Sequence, residues 1–212
     1  MFTRKSETKL SIQEMRMTKF SKRQIQIIET ALKIVSKKGI QFLTLKTLSE
    51  EIGMSEGGIY RHFKSKEEIL DGIIDYVQFG VLSFFDSVIA SPKSNIEKLK
   101  EIFLERCTRI GKHPEQIVSL SSFNYYKDGE KYRQQIKDFY NEYQSKIIQI
   151  IDAAKNNGEI PAEADSKHVY MVVIGALNRF VMEWKRADYQ FNLYNEGEKL
   201  WKYIKNLITK EI

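Results

Sequence analysis

Between residues 44 and 63 the sequence has room for two short helices and for nothing longer. Leu45, Leu48 and Ile52 recur at helical spacing behind Thr44, whose hydroxyl suits an N-cap, and Gly53 then breaks the pattern. Ser55 can cap a second segment, residues 56–63, in which Ile59 and Phe63 share an inward face. Leu48, Ile52, Ile59 and Phe63 have to pack this pair against a brace, and the preceding segment supplies one. Ser21 with Gln24 fits a capping box, Ile25, Ile28, Leu32 and Val35 repeat at helical spacing, and Lys37, Lys38 and Gly39 suit a helix end. Behind the pair, Ser65-Lys66-Glu67-Glu68 reads as a full capping box that opens a long apolar-periodic segment to residue 89. The spacing predicts three helices closed by a tight Gly turn and continued by a long helix.

The remaining chain predicts more of the same. Helical patterns run over residues 95–110, 130–156, 165–186 and 196–210, parted by Ser91-Pro92, by Asn156-Asn157-Gly158 with Pro161, and by shorter polar breaks. No strand survives comparison with a helical reading. With 3 Pro, 11 Gly, 42% hydrophobic and 29% charged residues in 212, the composition disfavours both a turn-rich β architecture and a disordered chain. The expected fold is all-α: an N-terminal arm and three-helix module over residues 1–68, then a helical bundle over 69–212. In the arm, Arg4, Lys5, Lys9, Arg16 and Lys19 read as a flexible basic segment. The lone Cys107 excludes an intrachain disulfide and a cysteine-cluster metal site, and points to a cytoplasmic protein. The longest apolar run, Val169 to Leu177, is too short for a bilayer, and the first residues lack the apolar core of a signal peptide, so no membrane span is expected.

Charge locates the function. Residues 1–68 hold 14 Lys/Arg and 8 Asp/Glu, a net +6, whereas residues 69–212 hold 20 of each. A basic module followed by a neutral one suggests that the front of the chain meets a polyanion. Two short helices across a Gly turn, braced by a longer helix in that basic third, describe a helix-turn-helix unit for double-stranded DNA. Tyr60, Arg61 and His62 need not all point inward and can face a duplex. Lys46, Lys64 and Lys66 can reach phosphates on either side of a major groove.

The run from Thr44 to Glu68, and above all Gly58-Ile59-Tyr60-Arg61-His62-Phe63-Lys64-Ser65-Lys66-Glu67, closely resembles the DNA-binding domain of the tetracycline-repressor (TetR/AcrR) family. The similarity covers about residues 21–70. It implies a homodimer with two recognition helices in successive major grooves of an inverted-repeat operator, and a C-terminal domain that binds a small-molecule effector and dimerises. Carried over by position, Thr44 looks like a phosphate-gripping N-cap. Ser55, Glu56, Gly57 and Gly58 occupy positions that approach base edges, and Tyr60, His62 and Lys66 look like phosphate contacts. Glu56 departs from the basic or small residue of many relatives: it can accept from a cytosine amino group or simply favour the positive helix end. With no side chains at Gly57 and Gly58, specificity can lean on close backbone approach and DNA shape.

Other chemistry lacks a carrier in the sequence. His62, His113 and His168 are far apart, and Asp165-x-x-His168 has no second copy, so neither a metal nor another cofactor is expected. No phosphate-cradling Gly loop, nucleophile elbow or triad is visible, and the chain reads as a regulator without enzymatic activity. Most aromatic residues of the C-terminal part belong to packing by default; Phe103, Cys107, Phe123 and Tyr126 are the candidates for lining an effector cavity. Val169, Val172, Val173, Ala176, Leu177 and Phe180, with Gly175, make one late helix apolar around much of its circumference, and Leu200, Tyr203, Ile204 and Leu207 do so for the last. These two helices are expected to dimerise the protein, with effector binding opposing DNA binding. Two other readings fit the same features. One is a DNA-binding protein whose helical domain only dimerises; the other is an all-helical carrier or enzyme of an apolar metabolite that begins with a basic domain.

Overall fold

The computed structural model describes residues 19–114 and 129–210. Eight α-helices lie within them: α1 (Lys22–Lys38), α2 (Leu45–Ile52), α3 (Glu56–Tyr60), α4 (Lys66–Ile89), α5 (Asn95–Lys112), α6 (Gly129–Asn156), α7 (Ser166–Arg186) and α8 (Leu193–Thr209), with a 3-10 turn at Ile40–Phe42. No strand occurs among the described residues. Most of the arm, including Arg4, Lys5, Lys9 and Arg16, lies outside them.

Local chemistry sets the helix ends. Ser21 and Gln24 form the expected capping box at α1, and Gly39, at φ 96°, ends it. Thr44 Oγ1 accepts the Thr47 N–H at 3.0 Å to start α2. Gly53 closes that helix in the left-handed region (φ 70°), where only glycine is free of a Cβ penalty. Asp165 accepts the His168 N–H at 2.8 Å, so the Asp-x-x-His pair is the N-cap of α7.

Two expectations need correction. Helix α3 stops at Tyr60 instead of reaching residue 63, because Ser65 is already extended as the N-cap of α4 and the chain has to turn within four residues. The N–H groups of His62 and Phe63 both return to the Ile59 carbonyl in that turn. The capping box at α4 is also only half as expected: Ser65 Oγ accepts the Glu68 N–H, but the Glu68 carboxylate takes the Lys64 N–H instead of that of Ser65.

Helix α4 runs unbroken through residue 68 and joins the two halves. It packs on α1, α5 and α6, and residues 71–78 meet both α1 and α6. Gly72 makes the first contact possible: a Cβ there would stand 3.0 Å from the Phe63 ring and 3.5 Å from Ile28. Length and mean hydropathy would let α4 cross a membrane, but half of its most apolar window is buried inside the protein. Ile69, Leu70, Ile73, Ile74, Tyr76, Val81, Phe84, Phe85 and Val88 all belong to the core. Behind α4, α5 lies on α6 and α8, and α7 lies on α6 and α8. Gly197 of α8 lets α5 come close, since a Cβ at that position would stand 2.9 Å from Cys107 Sγ.

Candidate nucleic-acid interface

Helices α2 and α3 present an outer surface whose residue types differ sharply from the core behind them. Leu48, Ile59 and Phe63 are buried against α1 and α4, and Ile52 is half-buried. Thr44, Lys46, Ser55, Glu56, Gly57, Tyr60 and Lys64 are exposed, while His62 and Lys66 are half-buried. Tyr60 is 45% exposed, a large aromatic left in water by a module that buries Phe20 and Phe63. Gln24 of α1 donates to the His62 carbonyl at 3.5 Å and steadies the end of α3.

The cap hydroxyls are committed as acceptors but retain donor capacity. Thr44 Oγ1 takes the Thr47 N–H and shares a 2.9 Å hydrogen bond with the Thr47 hydroxyl. Ser55 Oγ takes the Gly58 N–H at 3.1 Å. Thr47 was not singled out by sequence reasoning; its position three residues after an N-cap threonine is the signal that could have found it. Glu56 sits in the first turn of α3, at the positive end of the helix and exposed, in keeping with either role open to it.

The two glycines separate. A Cβ on Gly57 would meet nothing within 4 Å, whereas Gly58 is buried and a Cβ there would stand 3.2 Å from Met54 Cε and 3.3 Å from Ser55 Oγ. Gly58 therefore faces Met54 and the turn and is buried, unlike Gly57, on a side away from the exposed surface where it was expected to approach a base edge. Lys19, read as part of a free basic arm, is instead paired with Asp75 of α4 at 3.0 Å, its ammonium 5.5 Å from the centre of the Phe79 ring.

Of the nominated effector residues, the two described ones, Phe103 and Cys107, are packed in the core and do not line an open site. Phe103 is fully buried, its ring 5.5 Å from that of Trp201 in α8. Cys107 is fully buried against Gly197, and burial pushes its thiol up to about 12, so it is a neutral packing group at ordinary pH. The physical reason is helical spacing: the α5 face that carries Phe103 and Cys107 is the one that meets α8. Phe123 and Tyr126 lie outside the described residues. A groove of about 420 Å³ does open on another face of α5, where Phe84, Leu104 and Tyr194 meet Lys93, Glu97 and Glu101, and neither Phe103 nor Cys107 lines it. Its charges answer one another, with Lys93 on Glu101 at 2.9 Å and Glu97 in the cap of α5. Ser94 lowers the Glu97 carboxyl below its usual range by donating backbone and side-chain hydrogen bonds to it. Among the described residues no group of three or more His, Cys, Asp and Glu is placed to hold a metal.

A capped short-helix pair with a polar, partly basic outer face, fused through α4 to an all-helical domain, defines a helix-turn-helix regulator of the one-component type. Residues 27–73 match the model of bacterial regulatory proteins of the tetR family, and residues 80–207 match that of the C-terminal region of YsiA-like proteins. The chain belongs to the tetR family of bacterial regulatory proteins, whose members bind DNA and small-molecule effectors and dimerise. It is 23% identical over 189 residues to the nucleoid occlusion factor SlmA of Vibrio vulnificus (strain YJ016), covering 87% of this chain and 94% of that one. Its fold is similar to that of the ketosteroid transcriptional regulator KstR2 of Mycobacterium tuberculosis (TM-score 0.73, 19% identity, 91% of this chain and 97% of that one). It is also similar to the transcriptional regulator FadR from Bacillus subtilis in complex with stearoyl-CoA (TM-score 0.68, 21% identity, 89% and 98%).

Proposed function

We propose that the protein is a homodimeric repressor that binds an inverted-repeat operator and is released by a small apolar or amphipathic effector, with no catalytic step of its own. The observation that supports this best is the sorting of the helix-turn-helix surface. Gly57, open to solvent, lies between the exposed side chains of Glu56 and Tyr60, with Thr44 and Lys46 at the start of α2. In this reading Gly57 comes closest to the bases and Ser55 and Glu56 flank it. Thr44, Lys46, Tyr60, His62, Lys64 and Lys66 hold phosphates.

The dimer contact is assigned to α7 and α8. Val169, Val173, Leu177 and Ile204 turn into the chain's own core, which leaves Met171, Gly175 and Met182 on one outward line and Tyr203 and Leu207 on the other. Those residues, 47 to 76% exposed where their side chains are large, are the faces that a second copy would cover. An effector that reaches Phe103 and Cys107 has to part α5 from α8, so its binding would disturb the helix that also carries the dimer contact. Stearoyl-CoA, the ligand of the Bacillus subtilis relative, is the first effector to try. The likeness to a nucleoid occlusion factor over most of the chain favours a second reading, a DNA-binding dimer that responds to no small molecule.

Selection of sites from random duplexes at near-physiological salt tests the reading. It should return an inverted repeat with half-sites about one helical turn apart, and Tyr60→Ala and His62→Ala should each weaken binding roughly tenfold or more. Weak, sequence-independent binding that disappears with added salt would overturn it.

A further inference from the structure

One carboxylate on α4 serves both halves of the molecule. Asp75 Oδ2 accepts from Lys19 Nζ at 3.0 Å, and its Oδ1 accepts from Gln135 Nε2 at 3.4 Å. Lys19 stands just ahead of α1, so the first bond belongs to the DNA-binding module; Gln135 lies in α6, so the second belongs to the C-terminal domain. Neighbouring residues on α4 repeat the division. Toward the module, the Tyr76 ring meets Phe20 edge-on at 5.8 Å, and Tyr76 Oη donates to Glu29 of α1 at 2.5 Å. Toward α6, Gln78 Nε2 donates to the Gln135 carbonyl at 3.3 Å, and Lys131 pairs with Asp71 at 2.7 Å.

The two sides differ in chemistry. On the module side Phe63 and Ile28 are buried against Gly72 and Phe20 against Tyr76, and a shift there would open a cavity. On the α6 side the side-chain links to α4 are polar: the Lys131 and Asp71 side chains are 60% and 40% exposed, and the bonds from Gln135 to Asp75 and from Gln78 to Gln135 are part-buried. The exposed pair exchanges for water at little net cost, whereas the part-buried bonds, beside the buried Tyr132 and Ile136 of α6, move with that helix and carry its displacement to Asp75. A carboxylate with one oxygen on each side passes that displacement to Lys19 and, through the buried Phe20 beside it, to α1.

We infer that Asp75 is a positioning residue for DNA binding, whose divided carboxylate ties the orientation of the helix-turn-helix module to the position of α6. The inference rests on the DNA-binding reading and concerns a residue that acts through Lys19, away from the duplex.

The test uses the full-length protein and four variants: Asp75→Asn, Gln135→Ala, the two combined, and the charge swap Lys19→Asp with Asp75→Lys. Gln135→Ala removes the side-chain bond to Asp75 while leaving the carbonyl that Gln78 uses. The swap can restore both ties, because the Gln135 amide can turn its oxygen toward an ammonium. Each single variant should change operator affinity about threefold to tenfold with an unchanged salt slope, since no phosphate contact is lost. Gln135→Ala should have no further effect in the Asp75→Asn background, and the swap should recover most of the affinity. In DNA-free protein, Gln135→Ala should speed backbone hydrogen exchange over residues 19–24, which Gln135 does not touch. Additive effects, a lost unit of salt slope, a swap that fails to recover affinity, or unchanged exchange over residues 19–24 would each overturn the inference. If the parent protein selects no operator, the DNA-binding reading falls by itself, and the exchange measurement still decides whether Asp75 ties α6 to the module.

Discussion

A Cβ built on Gly57 meets nothing within 4 Å, and this makes the residue a clean probe. Gly57→Ala should leave the free protein as stable or stabilise it by up to about 1 kcal/mol, because alanine is the better helix former. On the repressor reading the same methyl group comes between α3 and the bases, so operator affinity should fall about tenfold, or roughly 1.4 kcal/mol. Gly58→Ala should behave the other way: thermal stability should shift by about 1 kcal/mol or less as the flexible end of Met54 gives way, and operator affinity should hardly change. Titrations of both variants against the selected operator, beside their melting curves, check this. The sequence could nominate both glycines but could not separate them, since their facing depends on where Met54 lies. The same limit applied to Phe103 and Cys107: their spacing along α5 was legible, but the helix opposite them was not.

At the scale of elements, what could be read ahead was what the chain decides locally. Ser21, Thr44, Gly53 and Ser55 act within three or four residues of themselves, so these helix ends were visible in the sequence. Asp165, the N-cap of α7, reads there only as half of a metal pair, and α8 starts at Leu193, capped by Asn192, three residues before the expected Glu196. Helix α3 came out shorter than its apolar pattern because the extended Ser65 ahead of α4 competes for the same residues. Long-range caps left no local signal at all. Glu159, in the α6–α7 connection, accepts the N–H groups of Asn95 and Ile96 at 3.1 and 3.0 Å and the Asn95 side-chain amide at 2.8 Å, which satisfies the start of α5 from 64 residues away. Partial burial raises the Glu159 carboxyl, but the hydrogen bonds from Ile96 and Asn95 outweigh it and hold the group below its ordinary value. A depressed carboxylate stabilises the fold above its unfolded value, about 4.3, and that contribution is lost as pH falls through the lower folded value. Glu159→Ala should therefore cost about 1–2 kcal/mol near neutrality. Denaturant unfolding should show the gap between parent and variant closing as pH drops from about 6 to about 3; a gap independent of pH would contradict this role.

At the scale of the whole molecule, one long helix carries the load between two modules of different chemistry. The module ahead of α4 is basic and outward-facing, and the domain behind it is neutral and apolar inside. Tyr203 and Leu207, 76% and 65% exposed on α8, are the most exposed large apolar side chains among the described residues, and Met171 of α7 follows at 60%. Changing Tyr203 and Leu207 together to Glu should yield monomers by analytical ultracentrifugation and lower operator affinity at least a hundredfold, because each half-site is then bound alone. A variant that stays dimeric would move the contact elsewhere. On the proposed function effector and operator oppose each other through this one chain, and reciprocal titration tests that opposition most directly. Operator affinity is measured with and without saturating stearoyl-CoA, and stearoyl-CoA affinity with and without operator. Both should fall by the same factor, in the range of about 5 to 150. Stearoyl-CoA that binds with no change in operator affinity, and operator that leaves stearoyl-CoA affinity untouched, would contradict it.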